Sequence, residues 1–323
     1  MQRIVPEASC VPFAGMRQKI EPSEGEGQMW IDGVFSGGGV KAFAFVGAHE
    51  IVEKCGYQFR RVAGTSAGSI IAGFIASGYN SQDIYRLMGE LQPSLLLDQS
   101  TIIHHFPFIK WLTLYWRMGL YTGRTFEKWL MGILKEKGVE RFSDLPPDSL
   151  KIIASDLSRG KMIVIPDDLV EYGIHPENFS VARAIRISCS LPFFFEPVSL
   201  CDRENKKCIL VDGGVLSNFP VWLYEDQQEL PARPFLGFQL SSRADIAAPR
   251  SIKNAVDLFH GIFTTMKEGH DAKYISKYAA SNIVFLPVEN IEAANFKLSK
   301  DSIDHLVELG RQRTKTFLKH WSH

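Results

Sequence analysis

The chain has 323 residues, 45% of them hydrophobic, which is enough for one large globular domain with a substantial buried core. Lysine plus arginine equals aspartate plus glutamate at 36 each, so no overall field draws the protein to nucleic acid or to an anionic membrane, and any membrane contact must come from local patches. The five cysteines (Cys10, Cys55, Cys189, Cys201, Cys208) are odd in number and lack a C-x-x-C pair, which argues against a disulfide framework or a zinc site and makes reduced thiols the expectation.

The opening residues, Met1 to Cys10, hold no apolar stretch of the secretory kind, and no run of about eighteen apolar residues occurs anywhere. This reads as a cytoplasmic protein. Residues 1–28 mix proline, glycine and glutamate without periodicity and are expected to be a poorly ordered lead-in. From Met29 onward, apolar bursts bounded by glycine alternate with longer periodic stretches. Trp30 to Phe35 reads as strand, Val40 to Cys55 as helix, Phe59 to Ala63 as strand and Ala67 to Ser77 as helix. Helices are expected at 81–91 after Asn80, and at 125–137 with Thr125 capping the start and Gly138 the end. Short β-rich segments follow at Leu150 to Ala154, Met162 to Ile165 and Cys208 to Val211. Two more, Phe235 to Leu240 and Ile283 to Leu286, frame a long helical stretch near 251–280. Cys201 and Cys208 lie symmetrically about a turn at Glu204-Asn205, where a hairpin could set them face to face. Ser302 to Trp321 has the apolar spacing of a helix and carries several cations. The alternation predicts a three-layer α/β/α domain with a mainly parallel central sheet over 29–290. The segment 291–323 is then a C-terminal helix packed on that domain or extending from it.

Gly64-Thr65-Ser66-Ala67-Gly68 fits G-x-S-x-G and falls where a strand turns directly into a helix. Such a turn strains the serine backbone and crowds both flanks, and glycines relieve the crowding. The hydroxyl then stands at the positive end of the helix that begins at Ala67. The competing reading is an N-cap serine in a tight turn. Ser36-Gly37-Gly38-Gly39-Val40-Lys41 also joins a strand to a helix, and two meanings compete for it. Gly37-x-Gly39-x-x-Ala42 satisfies a dinucleotide fingerprint, but that reading wants an acidic residue near the end of the second strand. Here Arg60 and Arg61 enter that strand and the serine turn ends it. A P-loop is excluded because no Gly-Lys-Ser/Thr occurs. The other meaning is an oxyanion hole built from amides around Gly37, Gly38 and Gly39, with Lys41 and Ala67 in support. A serine nucleophile needs a base. Asp212, between an apolar strand and Gly213-Gly214, and Asp156, in Ala154-Ser155-Asp156-Leu157, both stand at strand ends, and spacing does not rank them. His270 or His305 would complete a Ser, Asp, His order, although neither stands in a recognisable loop.

Taken together and in this order, the Gly37–Lys41 loop, the Gly64–Gly68 motif and Asp212-Gly213-Gly214 resemble the patatin-like phospholipase family. The resemblance extends through Ala154–Leu157 and the block Ala184–Pro197 and covers roughly residues 30–240. It implies a patatin-like catalytic domain and a lipid acyl hydrolase of the phospholipase A type. It further implies a Ser66/Asp212 dyad without histidine, the glycine loop as oxyanion hole, and no metal or other cofactor. One departure is Ala42, where the family commonly has glycine. The expected partner is a lipid or phospholipid, with no nucleic acid. The aromatic, cation-interleaved stretch 104–121 reads as groove lining, as a peripheral membrane contact or as a packed core helix, and the basic C-terminal helix carries the same ambiguity. The alternative from another class is a catalytically silent lipid- or nucleotide-binding module on the same scaffold.

Overall fold

A computed structural model describes residues 29–91, 114–224, 233–241, 281–288 and 298–321, with isolated positions between 252 and 269. The lead-in 1–28, residues 104–113 of the 104–121 stretch and most of the 251–280 stretch lie outside the described residues. The fold is α/β with a mainly parallel central sheet. Its strands are β1 (Met29–Phe35), β2 (Tyr57–Thr65), β4 (Leu150–Asp156), β5 (Lys161–Ile165), β7 (Val198–Cys201), β8 (Lys207–Asp212), β9 (Phe235–Ser241) and β10 (Ile283–Pro287). They follow the order β10-β9-β1-β2-β4-β8-β7, with β5 also on β4. The first five of that order pair in parallel, while β5 and β8 run antiparallel to β4, and β7 runs antiparallel to β8. A separate two-stranded parallel ribbon joins β3 (Gly119–Tyr121) to β6 (Phe193–Phe195).

The central strands are buried on both faces, as a parallel sheet requires: Ile31 through Phe35 are all buried. Ile31 and Phe35 belong to the main core, and Phe35 stacks on Phe238 with ring centroids 5.1 Å apart. Val34 points the other way, into a smaller cluster with Phe219, Val221 and Ile283. The described helices are α1 (Phe43–Lys54), α2 (Ala67–Ala76), α3 (Ser81–Glu90), α4 (Arg124–Glu136), α5 (Val181–Ser188) and α6 (Lys300–Leu318). None is long and apolar enough to cross a membrane. Asn80 caps α3 by accepting the Asp83 amide, and Ser299 caps α6 by accepting the Ser302 amide.

Three expectations change. The helix expected from Val40 begins as a 3₁₀ turn, Gly39–Ala42, before α1. Helix α4 starts from Gly123 in the left-handed region at φ 65°, with no side-chain cap, so Thr125 is not its N-cap. The reason is tertiary: a Cβ at Gly123 would lie 2.1 Å from Nε of the buried Arg186. In the β7–β8 hairpin, Cys201 opposes Lys207 and Cys208 opposes Leu200, so the two thiols fall on opposite faces, one exposed and one buried.

Helix α6 crosses α1 at the distance of bare backbone. A Cβ at Gly47 would stand 1.9 Å from the Val307 carbonyl oxygen, and one at Gly310 would stand 1.9 Å from that of Ala44. Any side chain there forces the helices apart. Gly310→Val is therefore expected to lower the unfolding free energy by about 3 kcal/mol in urea denaturation; a change under about 0.5 kcal/mol would show that the crossing tolerates separation.

Candidate active site

Ser66 is the hinge between β2 and α2. Its backbone sits at φ 52°, ψ −127°, a region L-residues rarely adopt, and three hydrogen bonds hold it there. The Ser66 amide donates to the Ser188 hydroxyl at 2.8 Å, and that hydroxyl donates onward to the Ile153 carbonyl at 2.6 Å. The Ser66 carbonyl accepts from the Ser69 amide at 2.8 Å and from the Ser69 hydroxyl at 2.6 Å. Both motif glycines are sterically required. A Cβ at Gly64 would fall 2.3 Å from the Gly68 carbonyl oxygen, and one at Gly68 would fall 2.3 Å from that of Phe35. Among the described residues no hydrogen bond reaches the Ser66 hydroxyl, and such bonds are often long before substrate tightens them.

The glycine loop follows β1, whose Phe35 is in register with Gly64. The loop therefore emerges beside Ser66. A Cβ at Gly37 would lie 3.2 Å from Cβ of Ser66 and 2.5 Å from Oδ1 of Asn218. The Gly37 amide donates to the Asn218 carbonyl at 3.0 Å, which narrows the expectation that amides of all three glycines face one anion. Gly37 supplies space beside the hydroxyl. For the Gly38 and Gly39 amides no acceptor occurs among the described residues. Gly39 sits at φ 57°, and Gly38 lies under Leu240. Lys41 lies within the 3₁₀ turn Gly39–Ala42 and donates its amide to the Gly38 carbonyl at 3.3 Å, while Ala67 is the first residue of α2.

The position of Asp212 follows from strand pairing. Ile152 and Ile153 of β4 pair with β2 on one edge and with β5 on the other. Ala154 to Asp156 continue the β5 ladder on that second edge, so their pairing with β8 falls on the same edge as β2. Strands β2 and β8 thus meet end to end along β4, Thr65 opposite Ile153 and Asp212 opposite Ala154. One residue of β4 separates these levels, a rise of about 3.3 Å. Sequence reasoning set Asp212 at the C-terminal end of a strand in a mainly parallel sheet. The strand is antiparallel, and its end reaches Ser66 because it arrives from the opposite direction. Gly213 makes the junction tight, since a Cβ there would stand 2.3 Å from the Ile153 carbonyl oxygen and 3.0 Å from Cγ2 of Thr65. The Thr65 hydroxyl donates to the Ser217 carbonyl at 3.1 Å, closing the same contact.

Asp212 itself is 3% exposed. Its amide donates to the Ser190 carbonyl at 2.9 Å, and its Oδ1 accepts the Gly214 amide at 2.7 Å, the bond of a turn aspartate. That bond fixes the carboxylate's orientation. The buried Cys189 thiol lies close by, with burial and then the Asp212 charge pushing its pKa up. Asp156 is placed differently. It pairs with Leu210, two residues farther along β4, about 7 Å beyond the Asp212 level. Its Oδ1 accepts the Ser158 and Arg159 amides at 2.9 and 3.1 Å, and its Oδ2 accepts the Tyr172 hydroxyl at 2.7 Å. Burial, and then this bond to Asp156, raise the Tyr172 pKa. His305 is exposed on α6, and His270 lies outside the described residues. Arg61, which argued against a ribose-binding carboxylate, pairs with the buried Asp32, its Nε donating at 3.0 Å. Among the described residues no group of three or more His, Cys, Asp or Glu is placed to hold a metal ion.

Three groups that sequence reasoning did not single out complete the surroundings. Ser188 and Ser69 pin the backbone of Ser66. Arg186, 2% exposed, donates from Nε to the Gly123 carbonyl at 3.2 Å and from Nη2 to those of Thr122 and Glu196 at 2.8 and 2.9 Å. Its Nη1 reaches the Ser190 hydroxyl, so it braces the residue whose carbonyl holds Asp212. The only advance signal for Arg186 and Ser188 was their place in the Ala184–Pro197 block, and Ser69 had none.

A family model described as patatin-like phospholipase matches residues 33–223. The uncharacterised protein YqhO of Bacillus subtilis is 49% identical over 295 residues, covering 91% of this chain and 100% of that one. The cUMP-AMP-activated phospholipase of Escherichia coli is 27% identical over 195 residues, 57% of this chain and 54% of that protein. Among solved structures, VipD from Legionella pneumophila matches with a TM-score of 0.55 at 16% identity, covering 90% of this chain and 67% of that chain, a likeness of fold.

With three hydrogen bonds to its carboxylate in a buried setting, Asp156 is a structural anchor. Asp156→Ala is expected to lower the unfolding free energy by about 3 kcal/mol in denaturant titration; a loss under about 1 kcal/mol would remove the anchoring role.

Proposed function

Because the chain belongs to the patatin-like phospholipase family, we propose that it hydrolyses fatty acyl esters of phospholipids by phospholipase A type chemistry, with Ser66 as nucleophile and Asp212 as base. The observation that supports this reading is the end-to-end meeting of β2 and β8, which sets Thr65, the neighbour of Ser66, one level from Asp212 along the same edge of β4. The Ser66 oxygen attacks the ester carbonyl carbon while its proton passes to the Asp212 carboxylate. The tetrahedral oxyanion is held by the Gly38 and Gly39 amides at the positive end of α2, a contribution of about 3–4 kcal/mol for each well-placed donor. Collapse breaks the bond to the alcohol oxygen, which takes the proton from Asp212 and leaves as lysolipid. Water then gives its proton to Asp212 as it attacks the acyl-enzyme. The second collapse returns that proton to Ser66 and releases the fatty acid. No step uses a histidine, a metal or a bound cofactor. Such a substrate sits in a lipid aggregate, so the protein works at a lipid surface as a peripheral partner.

Hydrolysis of mixed-acyl phosphatidylcholine vesicles, followed by mass spectrometry of the products, tests this assignment. Asp212→Asn is expected to lose about 10³-fold in rate, and His305→Ala and His270→Ala to stay within about twofold of wild type. A histidine variant as inactive as Asp212→Asn would replace the dyad by a triad. An Asp156→Asn variant that folds yet loses all turnover would move the base.

A further inference from the structure

The ribbon formed by β3 and β6 presents an apolar, largely aromatic surface to solvent. Tyr115 is 78% exposed and Trp116 72%, in a helical turn over 114–117, and Met118 and Phe193 are also exposed. Gly119 pairs with Phe193, so the two stretches lie side by side. Met118 and Phe193 both occupy the left-handed region, at φ 58° and 65°, where bulky residues are strained. Their side chains stay exposed despite that strain. Cations border the patch. Arg117 pairs with Glu196 at its edge, and Arg124 and Lys128 lie on the exposed face of α4, whose inner Glu127 is engaged by Arg183. Exposed Trp and Tyr beside cations are the groups that partition into the headgroup region of an anionic bilayer.

Position decides between this surface and the basic end of α6. Phe193 is three residues from Ser190, whose carbonyl holds the Asp212 amide, so at most about 11 Å of chain separates the patch from that contact. Arg186 fastens the ribbon at that place, through Thr122 and Gly123 after β3 and Glu196 after β6. The cations Arg313, Lys315 and Lys319 lie at the other end of the sheet. Beside them Trp321 packs on Tyr57, the first residue of β2, and bonds Asn282, just before β10. Tyr57 and Thr65 bound the same strand, about 26 Å long, so a bilayer on the end of α6 would leave Ser66 roughly that far from its headgroups.

We infer that the protein docks on an anionic phospholipid surface through Tyr115, Trp116, Met118 and Phe193 with Arg124 and Lys128, and that the basic end of α6 faces away from it. This rests on the lipid hydrolase reading for its substrate, and the test separates the two. Full-length protein is co-sedimented with vesicles of equal parts phosphatidylcholine and phosphatidylglycerol, and hydrolysis of p-nitrophenyl butyrate, a monomeric ester, is measured in parallel. Tyr115→Ala with Trp116→Ala is expected to weaken vesicle partitioning about tenfold or more, and so is Arg124→Glu with Lys128→Glu. Both double variants should keep wild-type butyrate hydrolysis, and Arg313→Glu with Lys315→Glu and Lys319→Glu should keep both properties. Wild-type partitioning of the aromatic variant would overturn the inference, as would loss of partitioning in the α6 variant. An aromatic variant that loses butyrate hydrolysis in proportion to partitioning would make the patch part of the reaction site and overturn the docking role. A wild-type protein that sediments with vesicles yet hydrolyses neither butyrate nor lipid would defeat the hydrolase reading and leave the docking surface standing.

Discussion

The backbone segments around Ser66 pack so tightly that side chains at their glycines would collide, and the rest of the site depends on that packing. Gly68 rests on the Phe35 carbonyl, Gly37 on Cβ of Ser66, and Gly213 on the Ile153 carbonyl. The first two join the serine turn to the glycine loop, and the third joins the aspartate turn to β4. A methyl group at Gly68 or Gly213 would push one loop by about an ångström or more, enough to disturb the geometry proposed for catalysis. The strain at Ser66, with φ at 52°, persists because Ser188 grips its amide and Ser69 its carbonyl.

That geometry explains how much was legible in the sequence. Glycines that admit no side chain are also strong local punctuation, so the serine turn and glycine loop stood out from spacing. The parallel strands were legible for a related reason: buried on both faces, they read as short apolar runs between turns. The choice between Asp212 and Asp156 was not legible. Both follow apolar strands, and they differ in which edge of β4 their neighbours occupy and in which direction β8 runs, long-range properties that no periodicity records. Helix α5 was missed because it is eight residues long and carries Arg186 inward, where backbone carbonyls and a hydroxyl satisfy the guanidinium. Strands β3 and β6 are three residues each and depend on partners more than seventy positions apart.

The chemistry follows from an asymmetry in the site. A carboxylate 3% exposed, braced through Gly214 and Ser190, is an oriented acceptor. The glycine loop offers two amides with no acceptor among the described residues. In the proposed mechanism, attack by the Ser66 hydroxyl would move a proton toward the carboxylate and negative charge toward the amides, with little rearrangement of the protein. Preorganisation of this kind supplies much of an enzyme's rate. Across the fold, Arg186 ties the same aspartate support to the aromatic ribbon, so the surface proposed to meet lipid and the site proposed to cleave it share one rigid element.

Reaction of the purified protein with a fluorophosphonate, with the modified residue located by peptide mass spectrometry, tests the nucleophile most directly. The account predicts stoichiometric modification of Ser66 and of no other serine. Folded protein that takes up no probe, or takes it up at a different serine, would contradict it.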